Sequence, residues 1–188
     1  MNRRRFLNLS LGGVSGVAAF LSSIPFVKSF MPSAKAKALG DPIEIDLTRL
    51  RPGEVRPYLY RGRTMLVLRR TEEMLGQLAA AEEHLLDRDS ESDPVYVRGE
   101  HRSINREYLV VEGVCTHLSC VPQPRDREEG RAAMGEWWPG GFICPCHRSG
   151  FDYAGRVIQG PAPTNLAIPP HRYASPTRLV IGEASGVS

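Results

Sequence analysis

The sequence has few aromatic residues, no dense run of basic residues and no internal repeat. Aromatic residues make up 7% of its 188 positions, and the formal net charge is only +3. Arginines are scattered among glutamates and form no basic stripe interleaved with aromatics, so nucleic-acid binding is not expected. The 15 prolines and 18 glycines predict a turn-rich, mainly β protein and argue against a helical bundle.

Charged residues are absent from Phe6 to Val27. This stretch of about 22 residues is long for the apolar part of a secretory signal and suits one membrane-spanning helix. Ahead of it, residues 1–8 resemble a twin-arginine export signal, with Arg3 and Arg4 as the pair. The pattern predicts a cytoplasmic N-terminus and an exported remainder, where a disulfide can persist.

The residues after this stretch leave two readings, a retained anchor or a cleaved signal. Ala34, Ala36 and Ala38 form two small-x-small patterns that resemble cleavage sites. The length of the apolar stretch favours a retained anchor, so residues 1–32 are assigned to the export signal and transmembrane anchor. Residues 33–40 are small and polar and are assigned to a flexible linker. Residues 41–188 form the remaining domain.

Alternating and apolar runs in residues 41–188 predict a mainly β domain with one short surface helix. The helix covers residues 71–86, with Thr71 as its N-cap and two glutamates in its first turn. A hairpin is expected within 58–69, with its turn at Arg61-Gly62. The acidic run 87–93 is expected to be a surface loop. Other strand-like runs are 43–47, 108–114, 142–143, 157–158 and 179–181.

All four cysteines lie in two short stretches, CTHLSC from Cys115 and CPCHRSG from Cys144, together with two histidines. A structural zinc site would use four of these six groups, but Cys144-x-Cys146 is too tight for a usual zinc knuckle. Two disulfides would leave both histidines unexplained. A [2Fe-2S] cluster with two histidine ligands, a centre of Rieske type, would use four of the groups and leave two cysteines to pair.

The two stretches resemble the Rieske iron–sulfur subunits of bacterial cytochrome bc complexes, the ubiquinol–cytochrome c reductases. Paired C-x-H and C-x-x-H motifs are shared by all Rieske proteins, and the two extra cysteines are typical of the high-potential branch. The segments 31–38 and 61–73 also resemble bacterial members. A further stretch is similar to the proline loop that covers the cluster in this family: Gly160, Pro161, Ala162 and Pro163.

The resemblance implies an antiparallel Rieske domain whose cluster-binding part covers about 113–165. It implies a disulfide between Cys120 and Cys146. The four implied ligands are Cys115 and Cys144 on one iron and His117 and His147 on the other.

Three residues next to the implied cluster receive roles from the same resemblance. His147 would lie against the quinol, and Leu118 would lie beside it and shield the cluster. Ser149 would donate a hydrogen bond to a cluster sulfide, which stabilises the reduced state.

Histidine ligation determines what such a cluster can oxidise. Two imidazoles in place of two thiolates remove two negative charges, so the potential rises to roughly −150 to +300 mV from about −400 mV in all-cysteine plant-type ferredoxins. Ubiquinol can reduce only such a centre, and the outer nitrogen of a histidine ligand can take the accompanying proton.

The resemblance therefore implies electron transfer from ubiquinol to cytochrome c1, coupled to proton release. The implied partners are the cytochrome b and cytochrome c1 subunits, in a dimeric complex of the bacterial inner membrane with the Rieske domain in the periplasm. The alternative is the Rieske subunit of a periplasmic molybdenum oxidase such as arsenite oxidase. The expected retained anchor argues against it.

Several positions depart from the family pattern. Phe151 stands where a tyrosine usually donates a second hydrogen bond, so a lower potential is expected. Tyr153 would replace this donor only if the chain path turned it to the same side. Arg148 and Ser119 stand where glycine is common, and a positive φ at 148 would strain the arginine. The charge of Arg148 beside the cluster would raise the potential.

The long, charged insert at residues 121–141 separates the two cysteine stretches. Trp137 and Trp138 near its end are expected to pin it by local packing. His101 and His171 lie in polar or proline-rich stretches and are expected at the surface.

Overall fold

The computed structural model describes residues 2–31, 40–88 and 90–184. The chain forms two compact units, Met1–Gly40 and Asp41–Ser188. In the first unit, helix α1 spans Arg3–Ser29 and has no buried residue. By length and composition α1 can cross a membrane, which agrees with the expected spanning helix. The assigned linker lies outside the described residues except for Gly40.

The second unit is built from three antiparallel sheets within the described residues, which confirms the predicted β fold. The first sheet contains, in order, β1 (Ile43–Asp46), β10 (Arg178–Ile181) and β9 (His171–Ser175). The second contains β2 (Val55–Tyr60), β3 (Arg63–Arg69) and β4 (Tyr108–Glu112). The third contains β5 (Gln123–Arg125), β6 (Gly141–Ile143), β7 (Gly150–Phe151) and β8 (Val157–Gln159).

Strands β3 and β4 of the second sheet are covered on both faces, which explains their nearly continuous apolar sequences. Successive side chains of a strand point to opposite faces. Leu66 and Leu68 therefore pack in a core that also contains Cys115, whereas Met65 and Val67 pack in a core shared with the first sheet. The predicted hairpin between β2 and β3 is confirmed. Its turn residues Arg61 and Gly62 have φ of 49° and 75°, as a two-residue type I′ turn requires.

The predicted helix at 71–86 forms in pieces. Helix α2 covers Glu72–Gly76, helix α3 covers Leu78–Ala81, and a 3₁₀ turn covers Glu82–His84. The Thr71 hydroxyl accepts a hydrogen bond from the Met74 amide at 3.2 Å, which confirms the N-cap. The break falls directly after Gly76, a residue that destabilises a helix by about 1 kcal/mol relative to alanine.

The insert contains strand β5 and a helix, α4 (Arg127–Met134), that the sequence patterns did not predict. The Asp126 carboxylate caps α4 by accepting from the Glu129 amide at 2.8 Å. Trp138 is fully buried, and its indole N–H donates to the Asp126 carbonyl at 3.0 Å. These contacts confirm that Trp138 pins the insert locally, and Trp137 packs on His84 with ring centroids 4.1 Å apart.

Two helical glycines should respond in opposite ways to replacement by alanine. A Cβ on Gly130 would lie 2.0 Å from the indole nitrogen of the buried Trp138, whereas one on Gly76 meets nothing within 4 Å. We expect Gly130→Ala to lower the free energy of unfolding by about 1–3 kcal/mol through overpacking. Gly76→Ala should raise it by about 0.5–1 kcal/mol. Urea denaturation of both variants is the measurement, and equal stabilities would contradict the packing of Trp138.

His171 is not at the surface, so that expectation was wrong. It lies in β9 with 1% of its area exposed, and its Nδ1 lies 2.8 Å from the Pro169 carbonyl oxygen. Burial lowers the pKa of His171 and favours the neutral ring. Tyr96 and Tyr173 pack against this ring with centroids 5.8 and 6.5 Å away. These contacts indicate that His171 has a structural role in the core.

Candidate metal centre

Two loops with the same backbone hydrogen bonds carry the six groups singled out from the sequence. In the first, the Cys115 amide donates to the Cys120 carbonyl at 2.8 Å, and the Ser119 amide donates to the Cys115 carbonyl at 2.9 Å. The second loop repeats both bonds around Cys144, at 2.8 and 3.0 Å. The loops follow strands β4 and β6, so the sheets position both in the same local geometry.

The residue four positions after each loop's first cysteine has a left-handed backbone. Ser119 has a φ of 65° and Arg148 a φ of 58°. This conformation costs a residue other than glycine roughly 1–2 kcal/mol. The strain expected at Arg148 is therefore present, and the first loop carries the same strain at Ser119.

The structure divides the four cysteines into a disulfide and two buried thiols. Cys120 and Cys146 form a disulfide with Cα atoms 6.5 Å apart, as the resemblance implied. Cys115 and Cys144 stay unbridged and are 1% and 2% exposed. Burial raises the pKa of the Cys115 thiol, since the thiolate loses its hydration. The reading with two disulfides is wrong for this fold.

The two histidines of the loops lie next to each other. The rings of His117 and His147 have centroids 4.8 Å apart and are nearly perpendicular, at 88°. His147 is exposed and His117 is half-buried. The Nδ1 atom of His117 is buried and has no hydrogen-bond partner among the described residues. A buried ring nitrogen without a partner is costly unless it binds a group that the chain itself does not contain.

These donors fit a [2Fe-2S] cluster of Rieske type. The sulfurs of Cys120, Cys144 and Cys146 lie within 4.8 Å of one another, but the disulfide uses two of them, so this triad cannot supply three thiolates. The groups that remain are two buried thiols and two adjacent imidazoles, one with an unpartnered buried nitrogen. Two thiolates and two imidazoles are the donors that a Rieske cluster takes.

The proline loop, Gly160–Pro163, is hydrogen-bonded to the second cysteine loop. The Ala162 amide donates to the hydroxyl oxygen of the buried Ser149 at 3.0 Å. Just beyond the loop, the Thr164 carbonyl accepts from the hydroxyl of Thr116 in the first loop at 2.7 Å. Ala162 is buried, whereas Gly160, Pro161 and Pro163 are exposed. The segment 160–164 therefore contacts both loops that carry the thiols and imidazoles.

Comparison with known proteins identifies the family. Residues 76–170 match the Rieske [2Fe-2S] domain. The chain is 45% identical over 187 residues to the ubiquinol-cytochrome c reductase iron-sulfur subunit of Allochromatium vinosum, covering 98% of this chain and 90% of that protein. The chain belongs to this Rieske subunit family. The corresponding subunit of Bradyrhizobium diazoefficiens is 35% identical over 180 residues, covering 96% and 94%.

A solved structure supports the same assignment. This Rieske chain is similar to a chain of "Hyperthermophilic respiratory Complex III", with a TM-score of 0.53 and 25% identity over 92% of this chain and 98% of that one. The predicted family, the antiparallel β fold and the [2Fe-2S] cofactor are thereby confirmed. The zinc reading of the two cysteine stretches is wrong.

Sequence reasoning missed a buried ion pair that supports the cluster region of this Rieske domain. Asp93, expected in a surface loop, is 8% exposed, and Arg102 is 3% exposed. Arg102 donates to both Asp93 carboxylate oxygens, at 2.6 and 2.5 Å. It also donates to the carbonyls of Ala154 and Leu166, both at 2.8 Å. These bonds join three segments, and no local pattern in the sequence pairs the two charges.

Tyr153 does not replace the hydroxyl that Phe151 lacks. Tyr153 is 5% exposed, and a Cβ on Gly140 would lie 2.6 Å from its hydroxyl oxygen. Burial, together with the nearby carboxylates of Asp126, Glu73 and Glu129, raises the pKa of Tyr153 to about 12. Its hydroxyl is therefore directed towards the insert. Phe151 is fully buried in the same core as Cys115 and Cys144.

Restoring a hydroxyl at position 151 should raise the reduction potential of this Rieske centre. One added hydrogen bond of roughly 1 kcal/mol corresponds to about 40 mV for a one-electron couple. We expect Phe151→Tyr to raise the midpoint potential by about that amount in a redox titration followed by EPR. Tyr153→Phe is the control and should leave the midpoint within error. An unchanged midpoint potential in Phe151→Tyr would refute the prediction that a hydroxyl at position 151 donates a hydrogen bond to the cluster.

Proposed function

We propose that this Rieske subunit takes electrons from ubiquinol held by a cytochrome b subunit and passes them to the haem of cytochrome c1. The observation that supports this most directly is the donor set on the two loops. Within this set, Cys115 and Cys144 are buried, whereas His147 is exposed. An exposed imidazole within the donor set gives a quinol direct access to one ligand.

In this proposal Cys115 and Cys144 would hold one iron of the cluster, and His117 and His147 would hold the other. With two neutral imidazole ligands, the cluster supplies a one-electron acceptor at a potential that ubiquinol can reduce. The buried Nδ1 of His117 is the ligand atom of that residue. The Ser149 hydroxyl oxygen accepts from the Ala162 amide, and its hydrogen would be available to donate to a cluster sulfide.

His147 is proposed to handle the proton. Its ring nitrogen that does not bind iron accepts a hydrogen bond from a ubiquinol hydroxyl and then the proton, which must leave together with the electron. Leu118 is 63% exposed and is proposed to lie beside this contact, where its side chain excludes water. The Cys120–Cys146 disulfide keeps the two loops, and therefore the two imidazoles, together.

The organisation of the chain follows the same proposal. Residues 1–32 form a twin-arginine signal and a retained single-span anchor, with the N-terminus in the cytoplasm. The segment 33–40, assigned to a linker from the sequence, is proposed to let the Rieske domain, 41–188, move between donor and acceptor in the periplasm. The complex is a dimer in the bacterial inner membrane. A helix long and apolar enough to span a membrane supports this arrangement.

Purification through an affinity tag on this chain tests the proposed partners. We expect b-type and c-type haem to copurify, with a ubiquinol–cytochrome c reductase activity that a quinol-site inhibitor blocks. Copurification with a molybdenum subunit and no haem would instead support the periplasmic oxidase. The relatives that carry the reductase name over nearly the full length of the chain favour the first outcome.

A further inference from the structure

Arg148 has an exposed side chain without a partner in the described parts of the chain. It lies between the exposed His147 and the buried Ser149, and its amide makes the loop bond to the Cys144 carbonyl at 3.0 Å. Its guanidinium makes no ion pair or hydrogen bond with residues 2–31, 40–88 or 90–184. Several other arginines of the domain are paired, for example Arg63 with the Glu112 carboxylate at 2.7 Å.

The backbone of Arg148 makes this placement costly. Its φ of 58° is a conformation that glycine or asparagine adopts with less strain. Within the described chain, the Arg148 side chain makes no ion pair or hydrogen bond that would offset this cost. Residues with a strained backbone conformation are often found at active sites and binding sites. The matching Ser119, with a φ of 65°, carries equal strain but no charge.

We propose that Arg148 binds a carboxylate on the surface of the electron acceptor when the Rieske domain docks against it. This proposal rests on the proposed function, which makes the acceptor a haem protein. Arginine presents a planar fork of donors that matches a carboxylate, and it remains charged at any physiological pH. The acceptor therefore presents an acidic surface to the loop that carries His147.

The quinol side fits this cation less well. A ubiquinol head group is neutral and offers no anion, and a guanidinium moved into an apolar quinol pocket would lose its hydration without compensation. Leu118, 63% exposed on the first loop, is the side chain suited to an apolar pocket. Leu118 thus serves contact with the donor, whereas Arg148 serves contact with the acceptor.

The test measures the rate of c-type haem reduction after ubiquinol addition in the purified complex, at low and high ionic strength. Arg148→Gln removes the charge but keeps a residue other than glycine at the strained backbone position. It should slow haem reduction about 1.5- to 5-fold at low salt, which is the effect of losing one exposed ion pair. The difference should vanish near 1 M salt, where charges are screened within about 3 Å. Arg148→Lys should retain most of the rate.

Ser119→Gly is the matched control, because it relieves the same backbone strain without changing charge. It should raise the thermal stability of the complex's Rieske domain and leave the rate of haem reduction unchanged. The midpoint potential of each variant is titrated alongside, so that an effect of the charge on the cluster is separated from docking.

Three results would overturn the proposal: a normal rate in Arg148→Gln, a slowing that is equal at both salt concentrations, or a slowing that the change in midpoint alone explains. These results leave the proposed function intact as long as ubiquinol reduces the haem in the unchanged complex. A complex in which ubiquinol does not reduce the c-type haem refutes the proposed function, and this proposal with it.

Discussion

Replacing Cys115 or Cys144 with serine should abolish the Rieske EPR signal and the two-iron, two-sulfide content of the protein. Both side chains are buried thiols outside the disulfide, and a neutral serine hydroxyl does not replace a thiolate ligand. Iron and acid-labile sulfide analysis of the purified protein, together with EPR of the reduced sample, measures the loss. The expected signal is below about one tenth of that of the unchanged protein, because changes to groups that only support a ligand already cost about 10- to 100-fold in metal affinity or activity.

The disulfide cysteines provide the matched control for this experiment. The double variant Cys120→Ser with Cys146→Ser leaves all four proposed ligands in place and removes both disulfide cysteines, so neither is left as a thiol without its partner. It should keep the Rieske line shape in the fraction that holds a cluster, but lose about 2–4 kcal/mol of stability, the usual contribution of a disulfide. Complete loss of the Rieske signal in this variant, or a normal signal in Cys115→Ser, would refute the ligand assignment.

Breaking the buried ion pair of Arg102 should be among the most destabilising changes to the domain. Arg102→Met leaves the Asp93 carboxylate, 8% exposed, without its cation, and it removes the donors to the Ala154 and Leu166 carbonyls. Removing one partner of a buried pair costs about 3–5 kcal/mol. We expect a loss of that size in the free energy of unfolding, measured by urea denaturation.

An exposed pair shows whether burial causes this loss. Arg63 pairs with Glu112 at 2.7 Å, but its side chain is 63% exposed. Arg63→Met should cost no more than about 1 kcal/mol, because exposed ion pairs contribute little. Similar losses in both variants would mean that the Arg102 contacts add nothing beyond a surface pair.

Local patterns predicted the parts of the fold that depend on local chemistry. The turn at Arg61-Gly62 requires positive φ at both positions, and glycine is the usual second residue of such a turn. Thr71 caps α2 because its hydroxyl reaches the amide three residues on. The cysteine stretches could be interpreted because the type and spacing of the donors restrict the chemistry, and the family resemblance then indicated which cysteines pair.

The features that the sequence did not reveal depend on contacts between distant segments. Helix α4 has only 8 residues, with Gly130 at its centre, so it carries no apolar stripe long enough to predict a helix. It forms where Trp138 packs directly over that glycine. Asp93 resembles its exposed acidic neighbour Glu91 in sequence, and the ion pair with Arg102 makes its burial favourable. His171 follows two prolines as a loop residue would, yet β9 carries it into the core.

An EPR spectrum of ascorbate-reduced membranes, recorded with and without an inhibitor of quinol oxidation, tests the central claim most directly. The proposed function predicts a Rieske signal whose line shape shifts when the inhibitor binds, because His147 and the quinol site are then in contact. A Rieske signal that ignores the inhibitor would contradict the proposed quinol contact and favour a periplasmic oxidase. No Rieske signal in membranes that contain the intact protein would contradict the cluster itself.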